Sequence, residues 1–125
     1  MDRGDIEGTV ELFQADGQLL CDGLGIRPKG HDELRAFFRR MMANSRGMVH
    51  RAADFVVDTT NRRVATTLVN INRRPGGERL EMLNCNLFEI GRDGRFIRVR
   101  FWLGQAVPDS VHRRKPAKTT RRPRR

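Results

Sequence analysis

No tyrosine occurs in this 125-residue chain, and tryptophan occurs once. Aromatic packing therefore rests on seven phenylalanines and one indole, and no phenolic hydroxyl can serve as an acid or hydrogen-bond donor. Cysteine is nearly as scarce, with Cys21 and Cys85 alone. Two thiols without zinc-ligand spacing make neither a disulfide framework nor a metal site, and they suit a reducing, cytoplasmic setting. The three histidines and the carboxylates form no cluster with metal-ligand spacing either, and no cofactor is implied. Long apolar runs are also missing, and the first residues lack a secretory pattern, so neither a membrane span nor an export signal is expected.

Acidic residues are missing from one stretch in particular. Residues 110–125, SVHRRKPAKTTRRPRR, hold eight of the 25 basic residues and no acid. The remaining 17 nearly balance the 15 acidic residues, so the net charge of +10 belongs mostly to the tail and the body is close to +2. Pro116 and Pro123 interrupt any helix there, and nothing in the segment can build a core. The expected organisation is one folded domain over residues 1–108 and a basic, disordered tail over 109–125. That tail is suited to non-specific contact with a polyanion. The body lacks the interleaved aromatic and basic pattern that stacks bases.

What is present in the body is periodicity. Asp5 is placed to cap a helix that buries Ile6, Val10 and Phe13 and stops near Asp16-Gly17. A short extended piece, Gln18 to Asp22, and a loop, Gly23 to Gly30, follow. Leu34, Phe37, Phe38, Met41 and Met42 then form the apolar stripe of a second helix, capped by His31 or Asp32 and stopped at Gly47. Beyond it, Met48–Asp58, Val64–Ile71, Leu80–Ile90 and Phe96–Leu103 read as four strands separated by turn residues. Helices followed by hairpins give an α+β fold with an antiparallel meander. The last two strands are apolar on both faces. Leu80, Met82 and Phe88 alternate with Leu83 and Leu87, and Ile97, Val99, Phe101 and Leu103 alternate with Phe96 and Trp102. Helices can cover one face, and a second copy of the chain is the expected cover for the other, giving a homodimer.

Several short motifs stand on this framework: Gly4-Asp5-Ile6-Glu7, Leu12-Phe13, Asp16, Gly30 followed by Glu33-Leu34-Arg35-Ala36-Phe37-Phe38, Asn84 to Phe88, and Arg100 to Gly104. Together, over about residues 1–106, they resemble the ketosteroid isomerase and SnoaL-like cyclase superfamily. The resemblance implies a curved sheet packed on helices around a cone-shaped pocket for a small apolar ligand, with most of the superfamily's first helix missing from this chain. It implies a proton shuttled next to a carbonyl. The base position falls on Asp22 or, in an ungapped reading, on Cys21, and only one of two strand neighbours can face the pocket. The position of a protonated aspartate falls on Asn84, whose amide can donate to an oxyanion. The superfamily's tyrosine has no counterpart. Asp22 is the better base chemically, and Leu19, Cys21, Phe37, Met82, Asn86, Phe101 and Leu103 are the expected pocket wall. His50, opening a strand, reads as a pocket-mouth histidine of the kind seen in dehydratase relatives, or as a plain surface residue. Two further functions stay open: a non-catalytic ligand-binding or dimerisation module, and weak nucleic-acid binding through the tail.

Overall fold

A computed structural model describes residues 2–104; the basic tail lies outside the described residues. The element order is α1 (Ile6–Glu11), β1 (Phe13–Leu20), a short 3-10 turn (Asp22–Leu24), α2 (His31–Ala43), β2 (Gly47–Asp58), β3 (Arg63–Arg73), β4 (Arg79–Ile90) and β5 (Phe96–Leu103). The five strands form one sheet in the order β1-β5-β4-β3-β2. Strands β2 to β5 are the antiparallel meander that the alternation predicts. Strand β1 joins its edge parallel to β5.

Asp5 caps α1 as expected, its Oδ1 accepting from the Gly8 amide at 2.9 Å. The helix nevertheless ends at Glu11, several residues before Asp16. Phe13 begins a strand because a sheet edge is there to receive it. The Phe96 amide donates to the Leu12 carbonyl at 2.7 Å, and Phe13 pairs with Phe96. Such tertiary pairing readily outweighs local helix propensity. The β1–β5 register shifts between Phe13 and Gln18, at a tight bend through Gly17. A Cβ on Gly17 would lie 2.9 Å from the Phe13 Cβ and 3.0 Å from the Phe96 carbonyl oxygen, so the close approach requires glycine.

The start of α2 also differs from the expected side-chain cap. Gly30 occupies the cap position with φ 81° and no side-chain bond, and His31 is the first helical residue. The His31 ring instead donates from Nε2 to the Phe13 carbonyl, 2.9 Å away, fastening the helix start to β1. A bidentate ion pair from Arg35 to Glu7, with Nε–Oε1 at 2.7 Å, ties α2 to α1.

The two helices lie on one face of the curved sheet. Between them and the strands, Val10, Phe13, Leu19, Leu34, Phe38 and Val99 form the core. A bulge between Glu89 and Ile90 in the β4–β5 register inserts one extra residue into β5. That residue reverses the parity at the start of the strand. Phe96 turns inward, its ring 5.5 Å from Phe13 and 5.1 Å from Phe88, while Ile97 turns outward. The sequence alternation had them reversed. On the outer face Leu83, Trp102 and Val56 are exposed, and no other described element covers them.

Leu34 is fully enclosed, whereas Leu24 in the 3-10 turn is 59% exposed. Leu34→Ala is expected to cost about 3–5 kcal/mol. Leu24→Ala should change stability by less than about 0.5 kcal/mol. Urea unfolding of both variants checks this, and equal losses would contradict the described core.

Candidate functional site

Residues directly opposite one another in a ladder point to the same face. The β3–β4 ladder pairs Thr66 with Asn86, Leu68 with Asn84 and Asn70 with Met82. On β5, Leu103 lies opposite Asn84 and Phe101 opposite Asn86; on β2, His50 lies opposite Asn70. All of these side chains face the helices. Where the core of Leu34 and Phe38 ends, the sheet curves away from α2 and leaves a cavity of about 1140 Å³. Ala36, Phe37 and Met41 on α2 form one wall; Met48, Met82, Phe101 and Leu103 form the apolar part of the other. Arg27, Arg40 and Arg74 stand among its lining with one acid, Glu33.

The polar part of the cavity is a row across three strands. His50 on β2 contacts Asn70 on β3, with Nε2 and Nδ2 3.0 Å apart, and Asn84 and Asn86 follow on β4. Behind His50 stands Asp2. Its Oδ1 lies 2.6 Å from His50 Nδ1, and its Oδ2 accepts the His50 backbone amide at 2.8 Å. Partial burial works to raise the Asp2 carboxyl. The hydrogen bonds from the His50 ring and amide outweigh it and hold the group below its usual range. Asp2 is therefore a carboxylate near neutral pH. A carboxylate only accepts, so Nδ1 donates to it, and Nε2 faces the Asn70 amide. This is a histidine oriented by an acid, with its second nitrogen turned to the cavity.

The sequence model of the SnoaL-like domain matches residues 1–99. The chain belongs to the SnoaL-like domain family. Solved structures with the same fold include SalBIII, an epoxide hydrolase/cyclase-like enzyme in pyran ring formation in polyether salinomycin. The likeness has TM-score 0.73 and 16% identity, over 83% of this chain and 81% of that one. An NTF2-like protein of unknown function from Burkholderia pseudomallei matches at TM-score 0.71 and 20% identity, over 81% and 79%. A Mycobacterium tuberculosis protein in complex with estradiol-17β-hemisuccinate matches at TM-score 0.69 and 19% identity, over 80% and 82%. No curated protein matches the chain.

In this SnoaL-like domain, seven residues expected from the sequence come together at the cavity: Leu19, Phe37, Met82, Asn84, Asn86, Phe101 and Leu103. Asp22 and Cys21 do not. Cys21 is buried, bridged to Ile26 behind the wall. Asp22 follows the end of β1 in the 3-10 turn, half-exposed, with its carboxylate 3.9 Å from Arg100 Nε and 3.8 Å from Arg27 Nη2. Arg100 lies opposite Leu87 on the outer face, and Arg27 borders the cavity, so Asp22 sits between the two arginines in the turn and outside the cavity lining. Sequence reasoning missed Asp2, Asn70 and Asn72. The two asparagines carried a signal, since they continue the i, i+2 row of Thr66 and Leu68. Asp2 carried none, because its contact with His50 spans 48 residues.

In ¹⁵N spectra of the neutral His50 ring, the proton is expected on Nδ1. Asp2→Asn should move it toward the Nε2–H form that free imidazole prefers. An unchanged His50 spectrum in Asp2→Asn would contradict the contact.

Proposed function

We propose that this SnoaL-like domain is an enzyme of the isomerase, lyase or cyclase kind, moving a proton next to a carbonyl on a small apolar, steroid- or polyketide-like substrate. The observation that carries the proposal is the His50–Asp2 pair, with Nε2 turned into a cavity that has one apolar wall and one row of polar side chains. Neighbours in structure that include a cyclase-like enzyme and a steroid complex support the same reading.

The proton transfer uses side chains alone. Substrate displaces the Asn70 amide from Nε2, and that nitrogen takes a proton from the carbon beside the carbonyl. The Asp2 carboxylate stabilises the imidazolium that results. The Asn84 amide, itself buried, donates to the carbonyl oxygen as it becomes an enolate. His50 then returns the proton at another carbon. The role the resemblance assigned to Asp22 or Cys21 passes to His50, because only His50 reaches the cavity.

Two features favour a second reading, a non-catalytic module that binds ligand or dimerises. The chain has no tyrosine, and Asp22 stands outside the cavity. Dimerisation fits either reading. The exposed Leu83, Trp102 and Val56 suit burial against a second copy, which we propose as the partner of the outer face. Among the described residues no helix is long and apolar enough to cross a membrane, and two free thiols suit the cytoplasm. Polyanion contact by the tail is proposed on composition alone.

A β,γ-unsaturated ketosteroid separates the readings, since its conjugated product absorbs in the ultraviolet. Turnover is expected, falling about 100-fold in His50→Gln. Asn84→Leu should cost a similar factor. Asp22→Asn should leave the rate unchanged. A rate that survives His50→Gln and disappears in Asp22→Asn would overturn the assignment.

A further inference from the structure

Among the described residues, the enclosed side-chain oxygens of Asn70, Asn84 and Asn86 at the cavity have no hydrogen-bond partner; Asn70 is held through its nitrogen by His50, which leaves Asn84 and Asn86. Asn84 is 4% exposed, and the side-chain oxygens of Asn84 and Asn86 are enclosed and make no hydrogen bond. Their neighbours explain why. Asn84 is flanked across the sheet by Leu68 and Leu103, which offer nothing polar. Asn86 is flanked by Phe101 and by Thr66, whose hydroxyl is already donated to the Asp54 carbonyl at 2.7 Å. Enclosing a polar group without a partner is costly, and leucine at either position would pack against the same neighbours without that cost.

The two asparagines stand two residues apart on one strand and on one face, so their side chains leave the sheet about 7 Å apart. We propose that the substrate carries two oxygen functions, hydroxyl or keto, at about that spacing along one edge of an otherwise apolar skeleton, one read by each amide. An amide presents an acceptor and a donor, and a half-turn exchanges them, so each position serves a hydroxyl or a carbonyl. One of the two oxygens is the carbonyl beside which the proton moves; the other fixes the skeleton's register in the cavity. This inference rests on the reading of the cavity as a ligand site and adds the polar pattern of the ligand.

Three bile acids make a matched probe set. Cholate carries three hydroxyls on one face of an apolar ring system, deoxycholate two and lithocholate one. All three share a carboxylate side chain, so any contribution from Arg27, Arg40 and Arg74 is common to them. Affinities are measured by calorimetry below micellar concentrations. The wild-type domain is expected to bind cholate at least about tenfold more tightly than lithocholate. A plain apolar cavity would rank them in the opposite order. In the Asn84→Leu/Asn86→Leu double variant, whose urea stability should equal or exceed wild type, lithocholate becomes the tighter ligand. Wild type that prefers lithocholate would overturn the proposal while leaving the cavity a ligand site. Absence of saturable binding by all three would remove the ligand site itself, and the proposal with it.

Discussion

The alternation of side chains along β4 decides what the cavity contains and what the outer surface presents. Met82, Asn84 and Asn86 face the helices; Leu83, Cys85 and Leu87 face away. The ladder with β3 runs in one register from Arg63–Glu89 to Arg73–Arg79, which fixes that alternation over the whole strand. A slip of one residue would carry the amides outside and the leucines in. Every other feature of the site inherits this constraint. His50 reaches the cavity because it pairs with Asn70, which pairs with Met82. Phe101 and Leu103 reach it because they pair with Asn86 and Asn84. The bulge beyond Glu89 then lets Phe96 join the core while the upper part of β5 keeps its register.

Polar and apolar groups are thereby sorted within one concave face. At the β1 end of the sheet, Phe13, Leu19 and Val99 pack on Leu34 and Phe38 to form the core, and Leu19 and Phe38 also border the cavity. Toward β3 and β2 the contacts give way to open volume, lined by histidine and asparagine between methionines and phenylalanines. Asp2 closes the row from the chain's beginning, and its bonds to both the ring and the amide of His50 orient the imidazole. Under the proposed function, a base held in this manner loses little freedom when it meets substrate.

Much of this was legible from residue order. The apolar stripe from Leu34 to Met41 predicts α2, and the spacing of turn residues predicts the four-stranded meander. Of the nine site residues expected with the help of the resemblance, seven line the cavity, while Asp22 and Cys21 do not. What was not legible depended on contacts between distant residues. Phe13 fits a helical period with Ile6 and Val10, but a parallel pairing with β5 takes it into a strand. One inserted residue in β5 exchanges Phe96 and Ile97, which simple alternation cannot reveal. Asp22 is chemically a good base, yet β1 ends at Leu20 and Asp22 falls in the 3-10 turn, outside the cavity lining. Asp2 acquires a role only through His50.

The most direct measurement is the response of side-chain amide resonances to a phenolic steroid, an uncharged mimic of an enolate. The account predicts saturable ¹H–¹⁵N shifts at the side chains of Asn84, Asn86 and Asn70, with the indole of Trp102, on the outer face, unmoved at low protein concentration. Shifts confined to Trp102, or none at the three asparagines of a folded protein, would contradict the assignment of the concave face as the ligand site.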